Sequence, residues 1–198
     1  LQRTSMFRLS PGRSAAALGG AGDELRRFGA RWVDPQFRRQ DGTFAASMWP
    51  PEIADKIEFY GMHRADLLAM FVNRLPADRI HAGPRCVGFE QGADQATVSF
   101  ANGACVTADA VIGADGIHSV LQQHVIAPSP PLFSGSVAHR GLITAASVGW
   151  PAGQMRNWLG AGKHFLVFPV RANELVNYVG FVTTQEQTRE SWSTPGDP

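Results

Sequence analysis

The chain has 198 residues, 44% of them hydrophobic and 18% charged, with a formal net charge of +1. That length holds one good core, or one domain plus part of a second, and the composition is that of a globular protein. The near-neutral charge gives no electrostatic pull toward nucleic acid or an anionic membrane, no apolar run reaches the ~18–20 residues of a membrane span, and no secretory signal opens the chain.

In chain order, residues 10–30 predict helix broken near Gly19-Gly20, with Ser10-Pro11 as N-cap and first helical residue and Gly29 as the stop. Residues 30–48 predict two strands around the hairpin-type turn Asp41-Gly42. Residues 62–76, MHRADLLAMFVNRLP, predict a helix with Leu67, Leu68, Phe71 and Leu75 on one apolar face and Asp66 in the first turn, where the helix dipole favours an anion. RCVGFE and ATVSFA predict strands, and Asn102-Gly103 is a strong hairpin signal. The apolar run Ala110 to Ala114 predicts a strand covered on both faces, followed by a turn and a short helix near 119–125. After APSPP at 127–131 come four further strand candidates, the last two flanking Arg171-Ala172-Asn173. Residues 132–184 therefore predict an antiparallel sheet.

Several residues could carry chemistry. Asp115-Gly116 ends the 110–114 run, where open α/β sheets bind ligands; the pair reads equally as a plain turn. Arg64 at a helix start suits a bound phosphate, or a solvated side chain. His139, Arg140 and His164 lie on the later sheet, where a lone histidine is structural or titrates near neutral pH. Trp158, Phe165, Phe168 and Phe181 read as an aromatic pocket or as core. Cys86 and Cys105 form neither a disulfide framework nor a metal set, and their apolar surroundings predict buried thiols in a reducing cytoplasm. No metal-ligand cluster is visible.

Taken in order, YGMHRADLLAMF, GPRCVGFEQ, VSFANGACVTADAVIGADGIHSVLQ, SGSVAHRGLI and WLGAGKHFLVFPVRANELVNYVGFV resemble the class A flavoprotein monooxygenases, in particular the salicylate and 3-hydroxybenzoate hydroxylases. The resemblance covers nearly the whole chain and rests on the series, not on any single motif. It implies an α/β (α+β overall) architecture: a partial Rossmann-like FAD-binding domain over 1–131, of which residues 30–60 pack with the substrate domain, and a partial, mostly antiparallel substrate domain over 132–198. Members of the family reduce FAD with NADH or NADPH and pass one atom of O2 to an electron-rich aromatic substrate. By position, Arg64, Asp115, Gly116 and the backbone near Cys86 and Val87 would contact FAD. Arg140 and His164 would flank the substrate, and His164 would orient or deprotonate a phenol. The chain carries no G-x-G-x-x-G turn, and it has Gln122 where the family's D-G motif usually ends in arginine. Leu1 is not an initiator methionine, and STPGDP at 193–198 is loop-like, so an internal fragment lacking the family's first βα unit and later G-D motif is expected. A non-catalytic relative on the same scaffold, or a flavin oxidoreductase that inserts no oxygen, are the alternatives.

Overall fold

The computed structural model describes residues 21–54, 56–127 and 129–185, and the backbone of 4–9. Packing divides the chain into two units, Leu1–Leu75 with Gly135–Pro198, and Pro76–Ser134. Units and chain order differ because strands from the first 50 residues join a sheet whose other strands follow residue 135.

In the first unit, β1 (Thr4–Leu9), β2 (Ala30–Arg31) and β5 (Glu58–His63) form an antiparallel sheet in the order β1-β5-β2. Helix α1 (Gly22–Phe28) carries Asp23 and Glu24 in its first turn and Arg26 and Arg27 in its last, in accord with its dipole. The helix stops at Gly29, as the sequence predicts, but Gly29 has φ −80°. Glycine is required there for space: a Cβ would lie 2.5 Å from the Leu25 carbonyl oxygen. The predicted helix over 10–20 lies outside the described residues. Helix α3 (Arg64–Val72) follows β5 directly, so Met62 and His63, expected in the helix, are strand. Met62 is fully buried with Leu25 and Tyr60, and Leu67 packs on them. The helix buries Met70, not the expected stripe, and Leu68, Phe71 and Leu75 are exposed. Leu67 packs on the cluster that includes Leu25 of α1, and Arg74, just past the end of α3, pairs with Glu24 of α1.

The larger sheet has the order β4-β3-β10-β11-β12-β9. It contains β3 (Gln36–Arg39), β4 (Phe44–Ser47), β9 (Ser136–Thr144), β10 (Arg156–Gly160), β11 (Lys163–Val170) and β12 (Leu175–Thr183). All four strands predicted after 132 are present. Every pairing is antiparallel except β3 with β10, which is parallel. The β3–β4 turn forms at Asp41-Gly42, where Gly42 takes φ 88° and the Asp41 carboxylate accepts from Thr43 N–H and Oγ1. Two short helices, α2 (Pro51–Ala54) and α4 (Ala145–Val148), complete the unit. One face of the sheet packs Phe168 and Val170 against Trp32 and Met155, with Phe59, Leu142 and Leu166 around them.

The second unit is a three-stranded antiparallel meander of β6 (Cys86–Gln91), β7 (Ala96–Phe100) and β8 (Cys105–Ala108). Gly103 turns β7 into β8 at φ 85°, as Asn102-Gly103 predicts. Residues 110–114 are not a strand, and Ile112 is 91% exposed. A doubly covered strand needs partners on both edges to satisfy its N–H and C=O groups, and among the described residues this segment pairs with none. The short helix expected at 119–125 shrinks to a 3-10 turn at Gln122–His124.

Candidate functional site

Side chains alternate across a strand, and residues directly opposite on neighbouring strands share a face. On the larger sheet His164 of β11 stands between Leu159 of β10 and Phe181 of β12. Its half-buried ring stacks on Phe181 with centroids 4.2 Å apart and planes at 18°. Arg140 of β9 is opposite Val179 of β12, two residues from Phe181, and is also half-buried. Arg140 and His164 therefore share one face, over a floor of Phe181 and Val179, separated by about 10 Å across the strands and about 7 Å along them. That face is sealed at its other end by Phe168 and Val170 and opens toward His164, where Leu159 is 44% exposed.

The four aromatic residues considered as one pocket are split by the sheet. Phe168 and Phe181 share the His164 face. Trp158 and Phe165 are opposite each other on the other face, with His139. There they continue a ladder from Trp150 to Tyr178 with ring centroids 6.1–6.3 Å apart. The even-odd spacing of 165 and 168 makes a shared wall impossible.

Arg64 is the first residue of α3, after His63 in extended N-cap geometry. It is exposed and makes no hydrogen bond or ion pair with any described residue. Asp66, read from sequence as a dipole partner, instead takes a two-pronged contact from Arg171. Arg171 Nε donates to Oδ2 at 2.8 Å and Nη2 to Oδ1 at 2.7 Å. This contact holds the Asp66 carboxyl below its ordinary range, against the opposing effect of burial. No signal in the sequence joins residues 105 positions apart; the helix-start pattern drew attention to Asp66 but gave it the wrong partner.

In the second unit the Asp115 carboxylate closes its own turn. Ser119 Oγ donates to Oδ1 at 2.6 Å and Val120 N–H to Oδ2 at 2.8 Å. Ser119 Oγ in turn accepts Gln122 N–H at 3.0 Å. The Ser119 hydrogen bond is the main cause of a lowered Asp115 pKa. Gly116 takes φ 85° with open space where a Cβ would stand, so glycine is required for the backbone and the surface above it is clear. Cys86 and Val87 sit at a register irregularity of β6. Cys86 is half-buried, with Sγ 3.6 Å from the Gly88 carbonyl oxygen, and Val87 is 45% exposed. The expectation of two buried thiols fails: Cys105 is exposed, as are Val106 and Thr107 on alternate faces beside it, because neither face of β8 is covered there, and both thiols are free. Among the described residues no three His, Cys, Asp or Glu groups cluster as metal ligands, and no helix is long and apolar enough to cross a membrane.

No family profile matches the chain. Individual proteins do. The chain is 34% identical over 142 residues to 3-amino-4-hydroxybenzoate 2-monooxygenase PtmB3 of Streptomyces platensis, covering 71% of this chain and 36% of the relative. It is 31% identical over 176 residues to a salicylate hydroxylase of Pseudomonas putida, covering 81% of this chain and 40% of the relative. Among solved structures it resembles Klebsiella pneumoniae HpxO complexed with FAD and uric acid, at 25% identity and a TM-score of 0.77, over 94% of this chain and 49% of that one. The chain thus spans between a third and a half of the length of these relatives. The ordered motifs, the mixed fold and these likenesses agree: the chain belongs to the class A flavoprotein monooxygenases, of which it represents a partial length.

Proposed function

We propose that the protein carrying this chain is an FAD- and NAD(P)H-dependent monooxygenase that hydroxylates a phenolic or aromatic-acid substrate with O2. The observation that carries this reading is the half-open apolar face on which His164 and Arg140 stand apart over Phe181 and Val179. Ligand sites are mostly apolar with a few placed polar groups, and this spacing suits a single aromatic ring. Arg140 would hold a carboxylate or phenolate, since a guanidinium matches a planar anion. His164, its ring plane fixed by Phe181, would accept the phenolic proton and so raise the electron density of the ring.

The residues present fit FAD in two places. Arg64 is a guanidinium without a partner among the described residues, at the start of a nine-residue helix, where helix amides and a cation together favour a phosphate. Gly116 leaves clear space above a turn whose carboxylate is already satisfied, so that turn would offer backbone and shape; Asp115 would fix the turn. Backbone at Cys86 and Val87 would border the nucleotide. When bound, FAD supplies the redox chemistry with O2, and the protein positions it and excludes water.

The test is His164→Asn in the longest natural product that contains this chain, assayed by NAD(P)H oxidation and by product analysis under labelled O2. Loss of hydroxylation by about 10²–10⁴-fold is expected for a general base. Undiminished hydroxylation would remove His164 from the reaction, and NAD(P)H oxidation without labelled product in the parent protein would select the oxidoreductase alternative.

A further inference from the structure

We propose that Asp66 and Arg171 are positioning residues: their two-pronged ion pair fastens the first turn of α3 to the β11–β12 hairpin and so aims Arg64 at the phosphates of the cofactor. The inference rests on the cofactor reading above and goes beyond it by assigning a role to two residues that would not touch the cofactor.

Four observations carry it. The first is the hairpin itself. Arg171, Ala172 and Asn173 have φ of 49°, 48° and 71°, three successive non-glycine residues in the left-handed region. Strands this close are joined without such strain by an Asn-Gly turn. A strained backbone persists only where its surroundings over-determine it.

The second observation is that, besides the local Glu174 N–H to Arg171 carbonyl bond, the tip is held by tertiary contacts. Ala172 N–H donates to the Phe28 carbonyl at the end of α1, at 3.0 Å. Gly153 N–H donates to Asn173 Oδ1 at 2.8 Å. Arg171 reaches Asp66 with both prongs. Each residue of the strained tip thus has a partner elsewhere in the unit, and the Arg171 contact is the one made to α3.

The third is the exposure of the pair. The Arg171 side chain is 42% exposed and that of Asp66 is 22%. A part-buried, two-pronged pair of this kind adds to stability, but stability alone does not require both prongs. A planar fork on a carboxylate does fix direction, which a single-point contact does not. The fourth is Arg64, two residues before Asp66 on the same first turn, exposed and without a partner among the described residues. A free arginine on a turn held in a set orientation is pre-organised for an anion.

The experiment is FAD titration of the apoprotein of the longest natural product, read by flavin fluorescence, for the parent, Arg64→Ala, Arg171→Gln and the double variant. One charge-assisted contact to phosphate corresponds to about a tenfold change in Kd. Arg64→Ala and Arg171→Gln are each expected to weaken FAD about tenfold, and the double variant no further than either alone, since both remove the same contact. A merely structural pair would leave the two effects on Kd additive. Arg171→Gln with an unchanged Kd, or full additivity with Arg64→Ala, overturns the proposal. If Arg171→Gln does not fold, Arg171→Lys decides: it keeps the charge and loses the fork, so several-fold weakening supports the role and parent-like binding overturns it. A parent protein that binds no FAD fails before any variant is compared, which refutes the cofactor reading and the clamp with it.

Discussion

At the scale of single residues, the decisive features are hydrogen bonds that sequence alone could name only at one end. Asp115 was legible as a turn or a nucleotide contact, and the structure commits both of its oxygens to Ser119 and Val120. Its lowered pKa has a consequence for pH. A carboxyl depressed on folding contributes above its unfolded pKa and loses that contribution as the pH falls through the folded value. The Val120 amide should therefore stay protected from hydrogen exchange at pH about 4, where a free aspartate is half protonated, and lose protection in stronger acid. Asp115→Ala should lose it at every pH, measured by exchange at Val120. Asp66 follows the same sign: Asp66→Asn should be less stable than the parent at neutral pH, and denaturant midpoints should converge as the pH falls below the carboxylate range. Arg171 could not be found from sequence, because pairing across 105 residues leaves no local pattern.

At the scale of elements, period and turn chemistry made the sheet readable. All four late strands and the turns at Gly42 and Gly103 stand where alternation and Asx-Gly pairs put them. Three elements were misread for a shared reason: their outcome depends on partners. Met62 and His63, the last residues of β5, read from sequence as the start of the helix and are strand because β1 pairs with them. Of the expected α3 stripe only Leu67 packs on the Leu25 cluster, and Met70 is buried in place of Leu68, Phe71 and Leu75. The 110–114 run, a strand by composition, has no partner among the described residues. The packing of β5 on β11 gives a further prediction. A Cβ at Gly61 would stand 2.3 Å from the Pro169 carbonyl oxygen and 3.1 Å from Phe168 Cδ2. Backbone cannot yield as a side-chain tip does, so Gly61→Ala should cost about 1–3 kcal/mol, typical of overpacking, in chemical denaturation. At Gly141 the nearest atoms to an added Cβ all belong to Tyr178, which is 38% exposed and whose side chain can swing aside, so Gly141→Ala should cost clearly less.

At the scale of the whole molecule, each unit displays apolar side chains that a finished surface would cover. Leu68 and Leu75 are 61% and 56% exposed in the first unit, and Ile112 and Val125 are 91% and 83% exposed in the second. Exposed apolar surface of this kind marks interaction sites or aggregation liabilities. The 198 residues expressed alone should bind a hydrophobic dye strongly, and Leu68→Glu with Ile112→Glu should reduce that binding without loss of secondary structure by circular dichroism. Dye binding unchanged by both substitutions would show that these side chains are covered in solution. Sequence indicated the fold family through an ordered series of weak motifs, whereas the extent of uncovered surface became visible only once the strands had been paired.

The parallel junction of β3 with β10 sets a timetable for synthesis. Gln36 pairs with Arg156, so the early strand must wait for 120 further residues before its edge is satisfied. At about 5–20 residues per second that is on the order of ten seconds on the ribosome. During that interval the β3 edge that β10 later covers is unpaired, a template on which chains misassociate. Nascent chains arrested after β4 should therefore recruit chaperones that leave once β10 and β11 have emerged.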